Sequence, residues 1–140
     1  MSFLLDTNVV SEWVRLRPNA GVVAWLAEVD EDRVFISVMT LAELRYGIEG
    51  MAPGQRRRRL DAWLREELPL RFEGRVLPVD SAIAEAWGRL TASREASGRS
   101  IAVADAFIAA TVEVHDLTLV TRNVSDFEQA VKAIVNPWLD

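Results

Sequence analysis

The chain has no cysteine and a single histidine, His115. A Cys–His nucleophile pair, a thiolate or multi-histidine zinc site and a disulfide framework are therefore all excluded. A Ser-His-Asp triad would have to use His115, near the end of an expected helix and just before a strand. That is the wrong end of an α/β sheet for an active site, and a helix C-terminal role favoured by the macrodipole suits it better. Neither G-x-G-x-x-G nor G-x-x-x-x-G-K-[ST] occurs, so no glycine-rich phosphate loop is available. The apolar run at the N-terminus is far too short to cross a bilayer, and the basic n-region and cleavage site of a signal peptide are missing. A cytoplasmic protein without membrane contact is expected. Positive charge is also short: the formal net charge is −5, and Lys132 is the one lysine among 16 basic residues. This argues against a broad basic face for nucleic acid. It leaves a metal nuclease open, because a cation reverses the charge of a carboxylate site.

What the chain does have is a regular alternation. With 140 residues, half of them apolar, it is read as a single domain spanning 1–140. Phe3-Leu4-Leu5 is an apolar strand ending at Asp6, and Val9–Leu16 a short helix stopped near Pro18. Asn19 caps a helix with Val22, Val23, Leu26 and Val29 on its apolar stripe. Val34-Phe35-Ile36 is a second strand, and either Ser37 or a Thr40-x-x-Glu43 capping box starts the next helix. A further helix is expected over about 55–68, with Pro69 and Gly74 bracketing a loop. A strand Val76–Val79 then leads to a helix capped by Ser81, with Ile83, Ala84, Trp87 and Leu90 facing inward. An alanine-rich helix over about 102–114, a strand Leu117–Thr121, the loop Arg122–Phe127 and a last strand Ala133–Val135 complete the chain. Strands that are continuous apolar runs, alternating with helices, predict an α/β fold: a three-layer α/β/α sandwich with a mostly parallel central sheet.

With sulfur and imidazole excluded, carboxylates remain. Most lie in polar stretches such as Glu28–Asp32 and read as solvated faces. Four do not. Asp6 ends the first strand, Glu43 lies one turn into the helix after the second, and Asp126 follows the fourth strand beside Phe127. Asp105 is the lone charge within Ile101–Ala110, where a carboxylate is costly unless paired, hydrogen-bonded or bound to a cation. Each also has a plainer reading: Asp6 as a helix cap, Glu43 as half of a capping box, Asp105 as a first-turn acid, Asp126 as a turn residue. Taken together, they can meet at one edge of a parallel sheet, where so many acids cannot all stay ionised without a cation. All-oxygen ligands point to Mg²⁺, with Mn²⁺ also suitable, and to phosphodiester hydrolysis.

Four segments carry a family resemblance. They are Leu4-Leu5-Asp6-Thr7-Asn8-Val9, the run Ile36 to Gly47, Asp105 to Thr111, and Leu119 to Phe127, with Asn136-Pro137-Trp138 after them. Essentially the whole chain resembles the PIN-domain ribonucleases, in particular the VapC- or FitB-like toxins of type II toxin–antitoxin pairs. The resemblance implies that Asp6, Glu43 and Asp105 hold the metal, with Asp6 and Asp105 as its main ligands. It leaves the fourth acidic position between Asn123 and Asp126, with Asp126 filling it directly or through water, Asn123 in support and Thr121 as a further contact. It further implies an RNA substrate, a small antitoxin that covers the site, and a homodimer. The run Arg56-Arg57-Arg58-Arg59 reads either as a solvated helix end, with pairs such as Asp61 to Arg65, or as a guide for RNA. Three other functions compete: a PIN domain that binds RNA without cutting it, an aspartyl-phosphate phosphatase and a receiver-like domain. The last two want a second acid near the first strand's end and a well-placed basic residue, but position 8 is Asn.

Overall fold

Strand β1 (Phe3–Leu5) occupies the middle of a five-stranded sheet ordered β3–β2–β1–β4–β5. Its partners are β2 (Val34–Ser37), β3 (Val76–Leu77), β4 (Thr118–Val120) and β5 (Ile134–Val135), and every adjacent pair is parallel. The computed structural model describes residues 1–139, so the expected domain boundary at residue 140 lies outside the described residues. The α/β sandwich expectation holds. Successive strand residues enter opposite faces, as the two-residue period of a strand requires. Leu5, Val34, Ile36 and Val120 join one core with Val9, Val22, Leu68 and Phe72. Leu4 and Leu119 join the other with Ile108, Ala109 and Phe127. Both faces are dry, which is why these strands read as unbroken apolar runs.

The first core is covered by α1 (Thr7–Val10), α2 (Ala20–Glu28), α3 (Val38–Glu49), α4 (Gln55–Ala62) and α5 (Leu68–Arg71). On the other side α7 (Val103–His115) and the short α8 (Val124–Phe127) cover the sheet. Helix α6 (Ser81–Ala96) packs on α7 through Ile83, Ala86 and Ala110, with Trp87 stacked on Phe107 at 5.2 Å.

Several local expectations are corrected. The first helix is only Thr7–Val10, after which Ser11–Val14 tightens into a 3₁₀ turn. The helix expected to stop at Leu68 continues to Arg71, because Trp63–Glu67 widens into a π turn. Pro69 then falls near the start of a new helical segment, where its missing N–H is tolerated. Strand β3 ends at Leu77, just before Pro78, which cannot donate to a ladder. The cap of α6 is Asp80, whose carboxylate accepts from Ile83 N–H at 2.9 Å, and not Ser81. Val23 and Ala84 are exposed, while Ala86 supplies the inward contact of α6. Arg122–Phe127 is not wholly loop, since its second half is α8.

The order of the strands sets the site. From β1 the chain moves to β2 and β3 on one side and returns to β4 and β5 on the other. The carboxyl ends of β1, β2 and β4 therefore lie side by side at a switch point, where open α/β sheets bind ligands. His115 ends α7, just before β4 begins, so it is at the opposite end of the sheet.

Candidate active site

Asp6 leaves β1 at this edge and is only 5% exposed. Its Oδ1 accepts from the Thr7 N–H at 2.8 Å, and its Oδ2 accepts from the Thr121 hydroxyl at 2.8 Å. The backbone N–H of Asp6 donates to the Val120 carbonyl, extending the β1–β4 ladder to the residue itself. Asp6 does cap α1, as its plainer reading held, but one of its oxygens is committed to β4's side of the edge. Burial pushes its pKa up. The bonds from Thr121 and Thr7 pull it back, and the charges of Glu43 and Asp126 raise it again.

Thr121 is fully buried and acts as a junction. Its hydroxyl donates to Asp6 and accepts from Asn8 Nδ2 at 3.3 Å and Asn123 N–H at 3.0 Å. Asn8 Nδ2 also lies 3.5 Å from Asp6 Oδ2, and its Oδ1 accepts from the Arg122 N–H at 3.4 Å. The exposed Asn123 supports Thr121 through its backbone, and its side chain caps nothing in α8.

Glu43 arrives on α3. Ser37 caps that helix through Met39 N–H at 3.0 Å, so the Thr40–Glu43 capping box does not form. Both residues turn to Thr7 instead. The Thr7 hydroxyl donates to Glu43 Oε1 at 2.6 Å and lies 3.2 Å from the Thr40 hydroxyl. Thr7 thus bridges two carboxylates from two elements, Asp6 by its N–H and Glu43 by its hydroxyl.

Asp105 sits in the first turn of α7, half-buried rather than sealed in. Its apolar neighbours Ala102 and Val103 are exposed at the helix start, so the apolar run around it overstated its burial. Its carboxyl is nevertheless pushed up to about 6, first by desolvation, then by the charges of Asp6, Asp126 and Glu43. Among the described residues no hydrogen bond offsets these effects. Asp126, in the first turn of α8, is exposed and reaches the cleft through its charge alone.

The structure therefore brings all four acids to one edge, with Thr121 and Asn123 beside them. Thr7, Asn8 and Thr40 join the site without having been singled out as site residues. The small polar run Asp6-Thr7-Asn8 was visible at the strand's end, but nothing local marks Thr40 as its partner. Among the described residues, no group of three or more His, Asp or Glu is drawn tightly enough to enclose a metal ion. The donor chemistry still fits a hard divalent cation: the carboxylates of Asp6, Glu43, Asp105 and Asp126 offer oxygen ligands, and burial together with the charges of neighbouring acids raises the proton affinity of Asp6 and Asp105.

The arginine run divides. Arg57 turns back to the Met51 carbonyl at 3.1 Å and to Glu49 at 3.2 Å. Arg56 and Arg59 line a cleft with Arg15, Arg71, Leu60 and Trp63. The expected Asp61–Arg65 pair forms at 2.9 Å. Leu64 is a core residue, while Trp63 is half-buried.

Comparison with known proteins follows the same outline. Residues 3–132 match the PIN domain family. The chain is 40% identical over 137 residues to the toxin FitB of Neisseria gonorrhoeae, covering 98% of this chain and 99% of that one. It is 38% identical to the VapC ribonuclease Y4jK of Sinorhizobium fredii, covering 96% of each. Among solved structures, FitAcB from Neisseria gonorrhoeae superposes with a TM-score of 0.91 at 39% identity, covering 99% of both chains. DNA-bound VapBC from Salmonella typhimurium gives 0.81 at 27% identity, covering 98% of both chains. A family match over most of the chain, a fold shared from end to end and four acids at the switch point agree: this chain belongs to the PIN domain family.

Proposed function

We propose that this protein is the ribonuclease toxin of a toxin–antitoxin pair, a divalent-cation-dependent enzyme that hydrolyses RNA phosphodiester bonds. The convergence of Asp6, Glu43, Asp105 and Asp126 at the β1–β4 switch point carries the reading. Asp6 and Asp105 are the principal cation ligands, and Glu43 and Asp126 complete the acidic set. Mg²⁺ is the ion proposed, and Mn²⁺ suits the same oxygens. When bound, the cation polarises the phosphodiester and lowers the pKa of a water nucleophile.

The chain's own residues set the stage for that chemistry. Thr121 orients Asp6 and favours its ionised form against the upward pull of burial, because its O–H bonds the charged form. Thr7 holds Glu43 toward Asp6 against the repulsion of two like charges. Asn8 fixes Thr121 and, through Arg122 N–H, the loop that carries Asn123 and Asp126. Hydrogen bonds of this kind around ligands orient them and contribute to metal affinity.

Solved relatives support an antitoxin partner: VapBC-5 from Mycobacterium tuberculosis is a member of the VapBC family of toxin–antitoxin systems, and a related structure from Klebsiella pneumoniae is a toxin–antitoxin complex. The antitoxin proposed here is a small protein that covers the acidic edge, and the working toxin is a homodimer. Among the described residues no helix is long and apolar enough to cross a membrane. The cytoplasm, where RNA is made and used, is the proposed setting.

One observation favours a second reading. No three acids are drawn tightly around a common point among the described residues, as a PIN domain that binds RNA without cutting it would also allow. One experiment separates the two. Purified protein is incubated with single-stranded RNA in Mg²⁺, in Mn²⁺ and in chelator, beside Asp6→Asn and Asp105→Asn. Cleavage restricted to wild type with a divalent cation is expected, and full activity in either variant removes the assigned site.

A further inference from the structure

We infer that a groove running from Glu43 past Arg15 and Arg56 to Arg59 and Arg71 carries the phosphates of the substrate strand beyond the bond that is cut. This rests on the ribonuclease reading above and specifies how that site holds its RNA. Two adjoining hollows, of about 270 and 610 Å³, share Arg15, Arg56, Leu60 and Trp63 as lining. The smaller one reaches Thr7 and Glu43, and the larger one ends at Arg59 and Arg71. They form one groove with its mouth on the acidic edge.

The arginines of this groove come from three parts of the chain, which hides the cluster in the sequence. Arg15 follows the 3₁₀ turn and binds the buried Glu12 at 3.1 Å. Arg71 ends α5, lies 4.2 Å over the Trp13 ring and contacts Glu31 at 3.4 Å. Both are anchored and fix the walls. Arg56 and Arg59 are three residues apart on α4, both exposed, and neither enters an ion pair among the described residues. Residues at this spacing share a helix face. Arg57 and Arg58 do not line the groove. Of the run of four, two therefore belong to the track and two do not.

The charge argument selects the occupant. In a chain of net charge −5, this groove is a local reversal of sign, with Glu67 the one acid in its outer part. A strand reacting at Glu43 and Asp6 is continuous, so its neighbouring phosphates must leave the site through what adjoins it. Exposed cations without carboxylate partners bind phosphates by releasing counterions, an effect that salt reports directly.

The test uses the full chain carrying Asp105→Asn, in chelator, with a fluorescent single-stranded RNA titrated at several salt concentrations. Arg56→Gln/Arg59→Gln is compared with Arg57→Gln/Arg58→Gln, which removes the same net charge from outside the groove. The groove pair is expected to weaken binding at least about tenfold and to flatten the log–log salt slope by about 1.4, two contacts at roughly 0.7 each. The control pair should change affinity by less than about threefold. Melting curves confirm that both variants fold. Equal effects of the two pairs, or unchanged binding by the groove pair, overturn the proposal. So does a groove pair that keeps RNA affinity while losing affinity for an acidic amphipathic peptide, since the groove would then serve a protein partner. If the groove pair behaves as expected but wild type with Mg²⁺ or Mn²⁺ leaves the RNA whole, the track stands and the ribonuclease reading falls.

Discussion

Asp6 and Asp105 face the same cleft, yet the two sides that carry them are built in opposite ways. On the β1–β4 side, Asp6 is buried at 5% exposure, and both carboxylate oxygens accept hydrogen bonds near 2.8 Å. Thr121, Asn8 and Thr7 extend that order to Asn123 and Glu43. On the α7–α8 side, Asp105 and Asp126 bring charge with no comparable framework among the described residues, and desolvation, followed by the repulsion of neighbouring acids, raises the Asp105 carboxyl. One side positions; the other carries the electrostatic cost. Such a division suits a site that holds its first ligand fixed and lets a cation recruit the second.

The largest expected effect is common to both sides. Asp6→Asn and Asp105→Asn should each lower kcat for RNA cleavage by about 10³-fold or more, the several kcal/mol a metal ligand contributes to the transition state. Single-turnover assays with and without Mg²⁺ would measure it. Retention of most activity by Asp105→Asn alone would break the comparison, leaving a site that works from the ordered side.

A smaller effect should separate the sides. Thr121→Val keeps the shape of the side chain but removes the donor to Asp6 and the acceptor for Asn8 and Asn123. Mn²⁺ affinity, followed by electron paramagnetic resonance, should fall about 10- to 100-fold, and Thr121→Ser should restore it. Thr7→Val should lower affinity about tenfold by freeing Glu43, again with rescue by serine. On the open side, Val103→Ala changes an exposed neighbour of Asp105 and should leave the affinity within about threefold. Equal losses on both sides would mean that the hydrogen bonds around Asp6 are scaffolding without influence on the ligand.

This contrast was only half visible in the sequence. The strands could be read because their both-faces burial leaves apolar runs such as Phe3-Leu4-Leu5 and Val34-Phe35-Ile36, and the acids because they stand against apolar neighbours. The framework could not. Thr121 meets Asp6 across 115 positions and Thr7 meets Glu43 across 36, and a threonine carries no local sign of which carboxylate it will bond. Asp105 was legible for a partly mistaken reason, since Ala102 and Val103 suggested burial but lie at an open helix start. Pro69 misled in the same way. A proline usually marks a helix end, and nothing local announced the π turn that lets the helix pass it.

The open side should also set the pH dependence of cation binding. With the Asp105 carboxyl pushed up to about 6, a cation must displace its proton below that pH. Mn²⁺ affinity should therefore fall about tenfold per pH unit as pH drops below about 6, one proton being exchanged. Asp105→Asn should bind more weakly at neutral pH and lose that segment of the slope. An unchanged slope would place the titrating group on the ordered side, at Asp6.

The smallest effect concerns folding without any cation, and its sign follows from the same shift. The Asp105 carboxyl titrates at about 6 in the folded chain against 3.8 as the ordinary value. The folded state thus holds the proton more tightly than the unfolded one. Its contribution to stability is fully present below about pH 3.8 and is lost as pH rises through about 6. In chelator at pH 8, wild type carries the full repulsion among Asp105, Asp6, Asp126 and Glu43, while Asp105→Asn does not. The variant should melt higher there, by about 1 kcal/mol or less once solvent screening of a half-exposed group is allowed for, or up to roughly 4 °C. At pH 4, where both chains are neutral at this position, the difference should close. Saturating Mg²⁺ at pH 8 should reverse the order, since only wild type gains the ligand. A variant less stable than wild type at pH 8 in chelator would mean that Asp105 stabilises α7 as a first-turn acid, and that the open side bears no electrostatic cost.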